Sequence, residues 1–186
     1  AGIWLLIGHT VASRQASTSL QMKGLAHAAT TDTLTGLLNR SEFDRVLNDA
    51  APGDAVIVLD LDGFKRINDG SGHDAGDAIL AEWGRSILAE KRSRDIAVRF
   101  GGDEVLILAA GAGPHGAEAL LDRLKIAWSR DGRPTFSGGV AVRRAESPRE
   151  TFRRADAALY AAKASGRDCW RINAAGEPIR QLRVVR

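Results

Sequence analysis

A single cysteine, Cys169, excludes an internal disulfide framework and a multi-cysteine zinc cluster, and it fits a reducing compartment. The four histidines, His9, His27, His73 and His115, fall at no short ligand spacing, which argues against a histidine-based zinc site. Long apolar runs are missing near the N-terminus too: residues 3–7, "IWLLI", are far short of the about 20 that span a membrane. That stretch reads either as the tail of a truncated membrane helix, with Arg14 and Lys23 on the cytoplasmic side, or as the end of a preceding sensor helix. One-sided charge is lacking overall, at +3, but the two parts of the chain differ. Residues 1–122 carry 11 basic and 17 acidic side chains and residues 123–186 carry 15 and 6, a swing from −6 to +9. Such a pairing suits a site where metal and phosphates meet, and a basic half alone suits nucleic acid. Aromatics interleaved with the basic residues, on which bases would stack, are absent, since Phe136, Phe152, Tyr160 and Trp170 take core-like positions. No nucleic-acid partner is expected.

What is present is material for one well-cored domain with an appendage. Residues 1–30 read as an N-terminal helix or linker, 31–175 as the domain and 176–186 as a tail. Trp4, Val11, Thr18 and Leu25 recur every seven residues, which fits a coiled-coil stalk and equally an amphipathic helix packed on its own domain. Beyond residue 31 the pattern alternates. "RSEFDRVLNDA" is helical in spacing and is stopped by Pro52 and Gly53; "AVIVLD" is a buried strand. "GDAILAEWGRSILAEKR" sets Ile79, Leu80, Trp83, Ile87 and Leu88 on one helical face. "DIAVRF" and "EVLILAA" form a hairpin, "GAEALLDRLKIAW" a helix and "PTFSGGVAV" a strand. A helix from Pro148, with Gly166 past its end, and the strand "CWRI" complete the set. The fold class expected is α+β: a central mixed, mainly antiparallel sheet flanked by helices.

At 100–105, "FGGDEV" places two glycines before two acids at a bend. Glycines tolerate positive φ and let a ligand or backbone pass closely, which suits a turn beside a phosphate. Asp60 and Asp62 end the first strand. If that strand neighbours the hairpin, three or four carboxylates meet at one sheet edge, an arrangement that calls for a hard cation such as Mg²⁺ or Mn²⁺. The alternative is a set of unrelated turn residues. "DLDGFKRINDGSG" is not an EF-hand loop, because its fifth position is Phe64 and its glycine is misplaced.

Six ordered motifs then carry a resemblance over residues 32–171: "DTLTGLLNR" (32–40), "DLDGFKRIND" (60–69), "GHDAGD" (72–77), "RFGGDEV" (99–105), "SGGVA" (137–141) and "ADAALYAAKASGRD" (155–168). The chain resembles GGDEF-domain diguanylate cyclases. The resemblance implies a fold similar to adenylyl cyclase cores and polymerase palms, and condensation of two GTP into cyclic di-GMP with loss of two pyrophosphates. It assigns Asp60, Asp103 and the Leu61 carbonyl to a metal, and the role of base to Asp103 or Glu104. Asn68 and Asp77 would read the guanine edge, for which an amide and a carboxylate are chemically apt. Helix capping is the competing role for Asp77. Lys65, Lys163 and Arg167 would contact the triphosphate, joined by the backbone N–H groups of Gly63 and Phe64. Without the resemblance, Lys163 and Arg167 are a solvated helix end.

Five residues separate "RSRD" at 92–95 from Gly101, the placement of the family's RxxD inhibitory product site; Arg92 and Asp95 are its candidates. Arginine can pair bidentately with guanine. The sequence departs from the family at Val105, where the motif has Phe, and at Gly70 and Ser71, which replace a bulkier pair. One GTP per chain implies a homodimer, in the cytoplasm, under an upstream sensor or membrane segment. The second reading is a catalytically silent cyclic di-GMP receptor.

Overall fold

The computed structural model describes residues 29–129, 133–173 and the backbone of 180–181; of the stalk and tether expected over residues 1–30, residues 1–28 lie outside them. The chain divides into two units, Ala1–Thr31 and Asp32–Arg186, and the fold is that of the second. Its elements are α1 (Phe43–Asn48), β1 (Ala55–Leu61), α2 (Phe64–Ser71), α3 (His73–Glu90), β2 (Ile96–Arg99), β3 (Glu104–Ala109), α4 (Gly113–Trp128), β4 (Phe136–Val142), α5 (Pro148–Ala164), β5 (Trp170–Ile172) and β6 (Arg180–Gln181). Among the described residues no helix is long and apolar enough to cross a membrane.

The described strands form one sheet in the order β2-β3-β1-β4-β5-β6, antiparallel at every pairing except β4 with β5. This is the mixed, mainly antiparallel α+β fold that the pattern of elements predicts. β1 lies at its centre because both of its faces are apolar. Val56 and Val58 face one way, into a cluster with Val46 and Leu47 of α1 and Ala155 and Leu159 of α5. Ile57, Leu59 and Leu61 face the other way, toward Leu80, Trp83 and Ile87 of α3 and Leu121 and Leu124 of α4. Aromatic rings fill that second layer: Trp83 lies 4.9 Å from Trp128 and 5.0 Å from Phe136, centroid to centroid. Truncating Trp83 to alanine would cost about 3–5 kcal/mol, as for other buried aromatics.

α5 starts where its sequence says it should. Ser147 caps it by accepting from the Glu150 N–H at 3.2 Å, with Pro148 in the first turn. Its midpoint sits directly on β4, because Gly139 has no side chain. A Cβ there would fall 2.0 Å from the Ala155 carbonyl oxygen and 2.2 Å from the Leu159 nitrogen. That close contact carries the far end of α5 down to the end of β1.

Candidate active site

β1 and β3 are neighbours, and their register sets Asp60 opposite Glu104. Asp103 immediately precedes β3. The turn between β2 and β3 closes with the Phe100 N–H donating to the Glu104 carbonyl at 3.1 Å. Contrary to expectation, neither of its glycines uses a left-handed φ. Gly101 is required for a different reason: a Cβ on it would lie 2.1 Å from Glu104 Oε2 and 3.0 Å from Glu104 Cβ, so the glutamate folds over bare backbone. Gly102 would meet nothing within 4 Å.

The acids feel one another. Burial, and then the neighbouring Asp60 and Glu104, push the Asp103 carboxyl up to about 6, against the opposing pull of Lys163. Lys163, in the last turn of α5, places Nζ 2.6 Å from Asp60 Oδ2. The result is a knot of three carboxylates and one ammonium at the sheet edge.

Asp62 does not join it. Its carboxylate accepts from Thr135 Oγ1 at 2.7 Å, Ser137 Oγ at 2.7 Å and the Asp168 N–H at 2.9 Å, which ties β4 and the α5–β5 loop to the end of β1. The convergence is therefore of three acids, not four. Among the described residues no three His, Cys, Asp or Glu side chains close into a metal cage. Asp60 and Asp103, with the Leu61 carbonyl that the sequence nominates, would offer a smaller, all-oxygen donor set of the kind a hard cation takes, and the repulsion felt by Asp103 is what such a cation would relieve.

The remaining candidates lie on either side. Gly63, at φ 73°, turns the chain into α2 and leaves Phe64 buried and Lys65 exposed on its first turn. Asn68 rests against α3 where Gly76 makes room, since a Cβ there would lie 1.9 Å from its Oδ1. Asp77, the next residue on α3, is exposed. The helix-capping role for Asp77 is overturned, because α3 begins at His73 with Gly72 at its cap. Gly70 and Ser71 lie at the end of α2. Arg167 and Asp168 take left-handed φ values of 64° and 52°, unusual away from glycine. Asp168 is anchored by Asp62 and by Lys125, whose Nζ lies 2.6 Å from its Oδ1, and Arg167 is exposed. Val105 is buried in the same layer as Trp83.

Arg92 and Asp95 lie at the opposite end of the β2–β3 hairpin. Asp95 is 4% exposed, and its carboxylate accepts from the Arg92 N–H at 2.9 Å and the Ala110 N–H at 3.2 Å. Arg92 itself is exposed. Asp95 thus shapes the loop from which Arg92 projects.

Other residues at the site went unassigned in the sequence. Thr135 and Ser137 hold Asp62; Arg99 reaches Asp32 and the Gly102 carbonyl, and Arg40 the Phe100 carbonyl. The signal available for Arg40, Arg99 and Ser137 was their place within three of the quoted motifs; Thr135 lies in none.

The sequence matches the profile of the family described as "Diguanylate cyclase, GGDEF domain" over residues 29–169. It is 34% identical to diguanylate cyclase DgcS of Shewanella oneidensis over 168 residues, 83% of this chain and 56% of the relative. It is 35% identical to the cyclic di-GMP phosphodiesterase NbdA of Pseudomonas aeruginosa over 194 residues, 90% of this chain and 25% of that one. The chain thus spans about half or less of these relatives. Among solved structures, the coiled coil and GGDEF domain of DgcB from Caulobacter crescentus, in complex with c-di-GMP, is similar with a TM-score of 0.77. That structure is 30% identical and covers 91% of this chain and 98% of its own. With the motifs, the sheet and the family profile in agreement, the chain belongs to the GGDEF-domain family.

Proposed function

We propose that the domain, residues 31–175, is a metal-dependent diguanylate cyclase working as a homodimer in the cytoplasm. The observation that carries this is the knot of Asp60, Asp103, Glu104 and Lys163, with Asp103 raised to about 6 by burial and its acidic neighbours. In this reading Asp60, Asp103 and the Leu61 carbonyl hold Mg²⁺ or Mn²⁺. When bound, the ion lowers the pKa of the attacking hydroxyl and screens the phosphates. Asp103 or Glu104 receives the proton of the 3′-hydroxyl. The freed oxygen bonds to the α-phosphorus of the facing GTP as pyrophosphate leaves, and the reciprocal step closes the ring. Lys65, Lys163 and Arg167, with the amides of Gly63 and Phe64, hold the triphosphate. Asn68 and Asp77 bond the guanine edge.

Each chain supplies one half-site, so two chains must face each other. Arg92, exposed at the far end of the hairpin, binds product and represses synthesis, with Asp95 fixing its loop. Arg92→Ala should weaken product inhibition in a cyclic di-GMP titration while initial rates stay near wild type; unchanged inhibition removes Arg92 from that role. The same exposed arginine supports the second reading, a receptor that binds cyclic di-GMP without making it. The two separate when purified protein, stripped of bound nucleotide, is incubated with GTP and Mg²⁺ beside an Asp103→Ala, Glu104→Ala variant. Cyclic di-GMP from the wild type alone supports the cyclase, and its absence at concentrations that dimerise favours the receptor.

A further inference from the structure

Two stretches that identify the family play no part in the substrate reading: "DTLTGLLNR" and the arginine that opens "RFGGDEV". The structure brings both onto the catalytic turn. Arg99 donates from Nε and Nη2 to the Gly102 carbonyl at 3.0 and 2.8 Å. Arg40 donates from Nη1 to the Phe100 carbonyl at 3.1 Å. Arg99 is in turn aimed by Asp32, both of whose carboxylate oxygens lie 3.1 Å from its Nη1. Thr35 holds Asp32 through its N–H at 2.9 Å and its Oγ1 at 2.6 Å. Backbone bonds of 2.8 Å, from the Asp32 N–H to Leu37 and from the Gly36 N–H to Asp32, complete the cradle. The Arg99 and Asp32 side chains are 17% and 23% exposed, so this charge-assisted pairing is largely shielded from water.

The carbonyl that Arg99 grips matters because of what shares its plane. The peptide unit containing Gly102 O also contains the nitrogen and Cα of Asp103. Pinning that oxygen pins the catalytic residue, on a turn whose Gly102 has open space around it.

We propose that Arg99, aimed by Asp32, and Arg40 are positioning residues: by holding the carbonyls of Gly102 and Phe100 they set where Asp103 and Glu104 stand. The kinetic half of this rests on the cyclase reading; the conformational half does not. The test uses the full chain with Arg99→Lys, Asp32→Asn and the pair combined, followed by steady-state kinetics with GTP and Mg²⁺ and by ¹⁵N relaxation of the turn amides. Each single change should lower kcat about 10- to 100-fold with KM for GTP held within about twofold, as expected when a reacting group is misplaced without loss of substrate contacts. The double variant should lose little more than the worse single one, because both act through one linkage. Order parameters at Gly102 and Asp103 should fall from a rigid value of about 0.85 to below about 0.6. Wild-type kcat in the variants, or a raised KM with kcat retained, overturns the proposal. So do unchanged order parameters, even if the wild-type chain makes no product, an outcome that would separately remove the cyclase reading.

Discussion

Ionising Asp103 works against the fold, because the carboxylate is placed among others in partial burial. Its folded value of about 6 lies above the ordinary 3.8, so the stability of the neutral form is complete below pH 3.8 and is lost as pH rises through 6. Asp103→Asn should therefore stabilise the metal-free protein at pH 7.5, by about 1–2 kcal/mol after allowing for solvent screening, while abolishing product formation. Urea melts at pH 7.5 and pH 4 check it: the advantage should vanish at the lower pH. Glu146 has the opposite sign. Burial opposes its charge, but hydrogen bonds from Thr151 and Arg154 outweigh that and hold it at about 2, so its contribution is present above pH 4.5 and fades toward pH 2. The two glycines of the turn also separate. Gly101→Ala should displace the Glu104 carboxylate and lower kcat about 100-fold, whereas Gly102→Ala, with open space around it, should cost far less. Equal losses at both positions would mean that glycine serves only backbone freedom here. At this scale the acids were legible because charge at a bend between apolar strands is conspicuous. The duties of Asp62 and Asp95 were not, since a sequence does not distinguish an aspartate that faces a ligand from one that accepts from a nearby hydroxyl or amide.

The strands were readable as elements because a sheet buried on both faces leaves continuous apolar runs, as in "AVIVLD". α2 was not, being eight residues long with a glycine near its end, and no element was assigned to it from the sequence, though Phe64 packs in the core. α3 begins three residues before the quoted pattern, because His73, Asp74 and Ala75 carry no apolar period. Least legible was how closely α5 approaches β4, which depends on an absent side chain. Gly139→Ala should force that helix outward, destabilise the domain by about 1–3 kcal/mol and weaken the hold of Lys163 on Asp60. Chemical denaturation together with the GTP turnover rate would register both effects; an unchanged midpoint would mean that the helix yields freely.

For the molecule as a whole, the proposed half-site per chain would make activity a property of pairs. Specific activity should fall on dilution, more steeply than in proportion to concentration in total rate, and strict proportionality down to a demonstrated monomer would refute the dimer. The palm-like sheet was foreseeable from six motifs in order; the bracing of its β2–β3 turn from residues 60 or more positions away was not, since it appears only once the chain has closed. The same segment does one more thing. β2 is an outermost strand, and Leu38 lies alongside it, donating its N–H to Ala97 at 3.0 Å and accepting from the Arg99 N–H at 2.8 Å. A chain shortened past residue 38 would thus bare the Ala97 carbonyl and the Arg99 amide on that outer strand, a foothold on which other chains can pair, and should aggregate more readily than the longer chain in light scattering.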